Sequence, residues 1–232
     1  MAKERNVDIV FCFDGTGSMA PCLDNVKANA RRFHQDLLQE LTFQGDTITS
    51  LRVKVITFRD YKDEGADGTA MEQSEFFELP GDVDLFDSYM EGVTHFGGGD
   101  YEENGLEALF TAMRSDFMAT SKNDRQVIVL FTDAEALPLQ ERAAYTGYPT
   151  EMPKDLDEFI SVWSNVQGSP YSTKLNPRSK RMVLFAPAGT VYENLSATCD
   201  NTSFMAVDPG TGMEGLDFNA IVKIVAASIG GK

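Results

Sequence analysis

Val7-Asp8-Ile9-Val10-Phe11-Cys12-Phe13 runs straight into Asp14-Gly15-Thr16-Gly17-Ser18-Met19-Ala20-Pro21, and the fold is decided there. Only Asp8 interrupts the apolar run. A strand with no wet face belongs at the centre of a parallel sheet covered on both sides. Gly15 and Gly17 relax the loop behind it. Pro21 suits the first turn of a helix. Leu23, Val26, Ala30, Phe33, Leu37 and Leu41 then recur at three and four, which predicts one amphipathic helix over 20–42.

The same alternation continues outward. Leu51 to Phe58 reads as the second strand, Arg59 to Gln73 as a polar acidic loop, and Ser74 to Leu79 as a short antiparallel edge strand. A helix is expected over Val83 to Met90, and another over Glu102 to Phe117 after Gly97-Gly98-Gly99. There the paired acids Glu102 and Glu103 suit a helix start, with a place behind the metal ligands as the alternative. Gln126 to Phe131, Arg181 to Ala186 and Ser203 to Val207 read as strands. The long connection 134–180 is expected to hold helices at Leu137 to Tyr145 and Leu156 to Trp163, and Ile221, Val222, Val225 and Ile229 mark a last helix. The expectation is α/β: a Rossmann-like, doubly wound, mostly parallel six-stranded sheet, with helices on both faces and one antiparallel edge strand. It is read as a single domain over 1–232, with 134–180 an extended helical connection inside it.

Composition narrows the function. The 232 residues include 36 acidic and 20 basic side chains, a formal net charge of −16. Nucleic acid and anionic membrane surfaces both call for a basic footprint, so neither is an expected partner. No apolar run approaches the roughly 20 residues of a membrane span. The polar start and three cysteines, too few and odd for a disulfide framework, lead to the expectation of a cytoplasmic protein.

Ligands of doubly wound sheets gather at the carboxyl ends of strands. Three such places carry oxygen groups: Asp14, Thr16 and Ser18; Asp100 after the glycine run; and Thr132-Asp133. Hydroxyls and carboxylates of this kind suit a hard cation such as Mg²⁺. The set resembles the metal-ion-dependent adhesion site of von Willebrand factor type A domains. That family's pattern is Asp-x-Ser/Thr-x-Ser after the first strand, a Thr in a mid-chain loop, and an Asp after the fourth strand. Asp14, Thr16, Ser18 and Asp133 match it, while Asp100 stands where Thr is commonest. The resemblance implies a cation held by Asp14, Thr16, Ser18, Asp100 and Asp133: Mg²⁺, with Mn²⁺ or Ca²⁺ as alternatives. It further implies a partner protein whose carboxylate completes the coordination, and an adaptor or scaffold role without catalysis. Three carboxylates around a divalent cation leave about −1, which favours metal retention over attraction of an acidic ligand.

Other readings of these residues are weaker. Gly15 to Ala20 also fits G-x-G-x-x-A, a dinucleotide fingerprint, but the acid expected about 20 residues on would fall inside the first helix. Phe13-Asp14-Gly15-Thr16 is similar to the D-x-D-G-T of haloacid dehalogenase-type phosphatases, whose nucleophile would fall at Cys12. The alternative from another class is a metal-dependent hydrolase or phosphatase, with the cation activating water and His95 or a spare carboxylate as base. His34 reads as a solvated helix residue. The acidic loop Asp60, Asp63, Glu64, Asp67 and Glu72 reads as a solvated tip; as a second cation site it fails the EF-hand register at Gly65. Tyr145, Tyr148, Tyr171 and Trp163 read mostly as packing of the long connection.

Overall fold

The computed structural model describes residues 3–98, 101–165 and 169–230. The first strand, β1, spans Lys3–Asp14, and α1 spans Ala20–Phe43. Next come β2 (Asp46–Phe58), α2 (Tyr61–Glu64), β3 (Met71–Gln73), β4 (Phe77–Leu79) and α3 (Val83–Gly92). The middle of the chain holds β5 (Glu102–Glu103), α4 (Gly105–Met113), β6 (Arg125–Phe131), β7 (Glu135–Ala136) and α5 (Leu156–Trp163). The last elements are β8 (Lys180–Pro187), α6 (Val191–Thr198), β9 (Thr202–Val207) and α7 (Phe218–Gly230).

The main sheet has the order β3-β2-β1-β6-β8-β9, with β4 also paired to β2. The five strands β2, β1, β6, β8 and β9 run parallel. The expected parallel sheet is therefore present, but with seven strands rather than six. The extra strand comes from the edge. β2 is long enough to carry two antiparallel partners end to end, β4 on Leu51–Val53 and β3 on Ile56–Phe58. Ser74 divides them: its N–H donates to Val55 O, and its Oγ accepts the Val55 N–H, both at 2.9 Å.

Alternation along β1 sorts the core into two layers, because successive side chains point to opposite faces. Val7, Ile9, Phe11 and Phe13 pack with α1, α3 and α7. Val10 and Cys12 pack with α4, α5 and α6. Phe13, Phe131 and Phe185 lie in register on three neighbouring strands and stack, with centroids 5.0 and 4.8 Å apart. This aromatic shelf supports the loops that leave the strand ends. All three cysteines are buried and free. Among the described residues no helix is long and apolar enough to cross a membrane.

Four local expectations are corrected. Glu102 and Glu103 form β5, a two-residue parallel pairing with β7, and the helix starts only at Gly105. Leu137 to Tyr145 is a run of turns: Gln140 has φ +69°, which no right-handed helix accommodates. The acidic loop is partly ordered into α2, whose Asp60 caps it by accepting the Lys62 N–H. His34 is buried in α1 at 7% exposure. Trp163 is wholly buried and Tyr171 packs edge-on to Phe110, as expected of a packing role, whereas Tyr145 is exposed.

Candidate metal centre

The sheet brings the expected residues together at one end. Asp14 closes β1, and Thr132 and Asp133 follow β6, the neighbouring strand. Asp14, Thr132 and Asp133 are buried, Thr16 nearly so, and Ser18 is exposed, so the group opens to solvent on one side.

The hydrogen bonds form a chain. Thr16 donates its backbone N–H and its hydroxyl to Asp14 Oδ1, at 2.9 and 2.6 Å. Thr132 donates its hydroxyl to Asp14 Oδ2 at 2.7 Å. Ser18 donates to Asp133 Oδ1 at 3.0 Å, and Gly212 N–H donates to Asp133 Oδ2 at 2.7 Å. Thr16 Oγ1 and Ser18 Oγ then lie 3.2 Å apart. Each hydroxyl has one proton. Either hydroxyl could donate across that gap, and the oxygens gathered here are of the kind a hard cation takes.

Burial pushes the Asp14 carboxyl up to about 6, against the hydrogen bonds from Thr16 and Thr132, and the neighbouring Asp133 adds to the rise. A cation seated beside Asp14 would oppose that shift.

Arg59 braces the loop from beneath. It is wholly buried and donates to Gly15 O at 3.0 Å, to Thr69 O and to Thr94 O, with Glu72 as its ion pair. Gly15 leaves room for it: a Cβ there would stand 2.8 Å from the guanidinium carbon. Phe96 stacks over the same guanidinium at 4.1 Å.

Of the five residues expected to hold the cation, Asp14, Thr16, Ser18 and Asp133 come together, and Asp100 lies outside the described residues. His95 sits on the loop before the glycine run and faces Asp24 at 3.8 Å. Among the described residues no three His, Cys, Asp or Glu side chains gather as a metal-binding group. The donors here are two carboxylates and hydroxyls. Sequence reasoning missed Arg59 and Gly212, which reach the site from 44 and 79 residues beyond Gly15 and Asp133 respectively.

Gly212 offers a direct check on this geometry. It has φ +61°, and a Cβ on it would fall 2.0 Å from Ser18 O. Gly212→Ala should displace the segment that holds Asp133 and cost about 2–3 kcal/mol, the scale of a strained left-handed residue plus a backbone clash. Urea unfolding checks the loss. A variant as stable as wild type would show that this loop yields freely.

No protein-family model matches the chain. No curated protein matches it in sequence. The pilus adhesin SpaC from Lactobacillus rhamnosus GG matches over 97% of this chain, with a TM-score of 0.53 and 10% identity. The likeness is one of fold. SpaC in its open conformation gives 0.50 and 11%, again over 97%. Proximal thread matrix protein 1 from the mussel byssus gives 0.45 and 14% over the same share, too loose to bear on the fold. The chain spans 31% and 30% of the two SpaC chains and 47% of the mussel chain.

Proposed function

We propose that this protein is a metal-dependent protein-binding adaptor, which presents a divalent cation at Asp14, Thr16, Ser18 and Asp133, with Asp100 as a further ligand. The reading rests on the resemblance to von Willebrand factor type A domains. One observation carries it: the Thr16–Asp14 and Ser18–Asp133 hydrogen bonds, joined across the 3.2 Å between the two hydroxyls, gather four oxygen-bearing side chains at the end of the sheet where Ser18 is exposed. A hard cation such as Mg²⁺ takes oxygen ligands of this kind and keeps several waters. A partner carboxylate would take a water's place on the side where Ser18 is exposed. The work is binding, without catalysis. A pilus adhesin of similar fold is by its name a binding protein, which accords with that view. Three buried free thiols accord with a cytoplasmic setting.

Thermal unfolding of wild type and Asp14→Ala, each in EDTA, Mg²⁺, Mn²⁺ and Ca²⁺, tests the reading. A ligand at 100 times its Kd adds about 2.7 kcal/mol, which in a chain of this size raises the midpoint by about 5–10 °C. Wild type should gain that shift with Mg²⁺ and Asp14→Ala should not. An equal shift in both, or none in wild type, would remove the metal from the proposal. With the shift in hand, capture of a partner should be abolished by EDTA.

A further inference from the structure

The acids around α2 are not all on the surface. Glu103 is 2% exposed and its Oε2 has no hydrogen-bond partner among the described residues. Glu64 is 6% exposed and its Oε2 is also without one among them. Asn104 Oδ1 accepts the Tyr61 N–H at 3.0 Å. That bond pins α2, with Glu64 one turn on, against the residue that follows Glu103. Glu64 Oε1 lies on the turn at Gly97, where φ is +78° and a Cβ would stand 2.1 Å from that oxygen.

The Tyr61–Asn104 bond brings the segments of both carboxyls together, and Glu64 is among the acids that act on Glu103. Burial raises the Glu103 carboxyl to about 9, and Asp14, Asp60, Glu64 and Asp63 raise it further in that order. Burial also raises the Glu64 carboxyl, Asp63 adds to the rise, and Arg59 opposes it. Arg59 gives its hydrogen bonds to backbone carbonyls and Glu72, and Arg142 pairs with Asp60, so neither donates to Glu64 or Glu103 among the described contacts. Buried carboxylates are normally paired, protonated or bound to a metal.

We propose that a second hard divalent cation binds between Glu64 and Glu103, under the Gly97 turn and beside the Asp14 loop. Two carboxylates with waters or backbone carbonyls make an ordinary oxygen set for Ca²⁺. The cation would neutralise the recess and tie α2 to β5, thereby holding the Gly97 turn in place. The rival is a Glu103 that keeps its proton and binds nothing.

Calorimetric titration with Ca²⁺ at pH 7.5 tests this on wild type, Asp133→Asn, Glu64→Gln and Glu103→Gln, with far-UV circular dichroism on each to establish folding. The expected result is two equivalents on wild type, one on Asp133→Asn, and a loss of at least tenfold in affinity for the other equivalent in each Gln variant. Two Gln variants guard against one failing to fold. One equivalent that is lost in Asp133→Asn but kept in both Gln variants overturns the second cation and leaves the first. One that is lost in the Gln variants but kept in Asp133→Asn supports the second and overturns the first. No binding to wild type overturns both.

Discussion

Glu103→Gln should stabilise the cation-free protein by about 3 kcal/mol at pH 7. The carboxyl stands at about 9 in the folded chain against an ordinary 4.5. Below pH 4.5 it is protonated in both folded and unfolded chains, so its titration costs nothing there. As pH rises, the unfolded chain loses the proton while the folded chain keeps it, and unfolding gains about 1.4 kcal/mol per pH unit until the folded carboxyl itself ionises near 9. Gln carries no proton to lose and closely matches the shape. The two proteins should therefore coincide near pH 4 and diverge up to about pH 9, with the variant the more stable. At roughly 2–4 °C per kcal/mol the midpoint difference near neutrality is about 5–10 °C. Thermal melts in EDTA across pH 4 to 9 measure it. Parallel curves would mean that Glu103 ionises normally and that the recess is wetter than its burial implies. Saturating Ca²⁺ should narrow or reverse the difference, because the cation takes the place of the proton in wild type alone.

What was legible in the sequence follows the range of the forces involved. The β1 run and the period of α1 are local patterns, and both elements form where those patterns put them. Asp14, Thr16 and Ser18 share one loop, so their proximity is written in their spacing. Asp133 could be placed because a parallel sheet puts the ends of neighbouring strands side by side. Glu103 could not. An acid before a helical pattern reads as a favourable helix start, and only the pairing of β5 with β7 pulls it out of the helix and into the interior. His34 sits beside Arg32 and Gln35 in sequence, yet it lies on the side of α1 that the fold buries. Leu137 to Tyr145 has helical spacing of apolar residues, but Leu137 is taken by a hydrogen bond to Glu103 O and Gln140 turns left-handed. The seventh strand depends on the side chain of Ser74 replacing a ladder bond, which no periodicity records. Arg59 and Gly212 act through tertiary contacts alone.

Asp8 and Asp14 stand on the same strand, both buried, and neutralising them should move stability in opposite directions. Asp8 takes two hydrogen bonds from Arg52, at 2.8 and 2.7 Å, and its Oδ2 also accepts the N–H groups of Met118 and Ala119 at 2.7 and 2.9 Å. Arg52 is itself largely buried, at 13% side-chain exposure. Asp8→Asn removes the charge that pairs with this guanidinium and can turn an amide donor toward donors. Breaking a buried pair from one side costs about 3–5 kcal/mol, and an orphaned buried N–H adds to it. Asp14 has hydroxyls and one N–H for company but no cationic side chain among its hydrogen-bond partners, and burial holds its carboxyl near 6 rather than 3.8. Above pH 6 the folded chain thus carries a charge it disfavours by up to about 3 kcal/mol at 1.4 per unit. Asp14→Asn lifts that cost, less whatever its three hydrogen bonds lose when the acceptor becomes neutral. A gain of about 1–2 kcal/mol in EDTA at pH 7.5 is expected, with the Mg²⁺ response gone. Urea unfolding of the two variants at that pH makes the comparison. A large loss from Asp14→Asn, equal to that from Asp8→Asn, would make Asp14 a structural anchor like Asp8. A gain would mark it as a group that is poorly satisfied until a cation arrives, the condition expected of a ligand held ready in an otherwise completed fold.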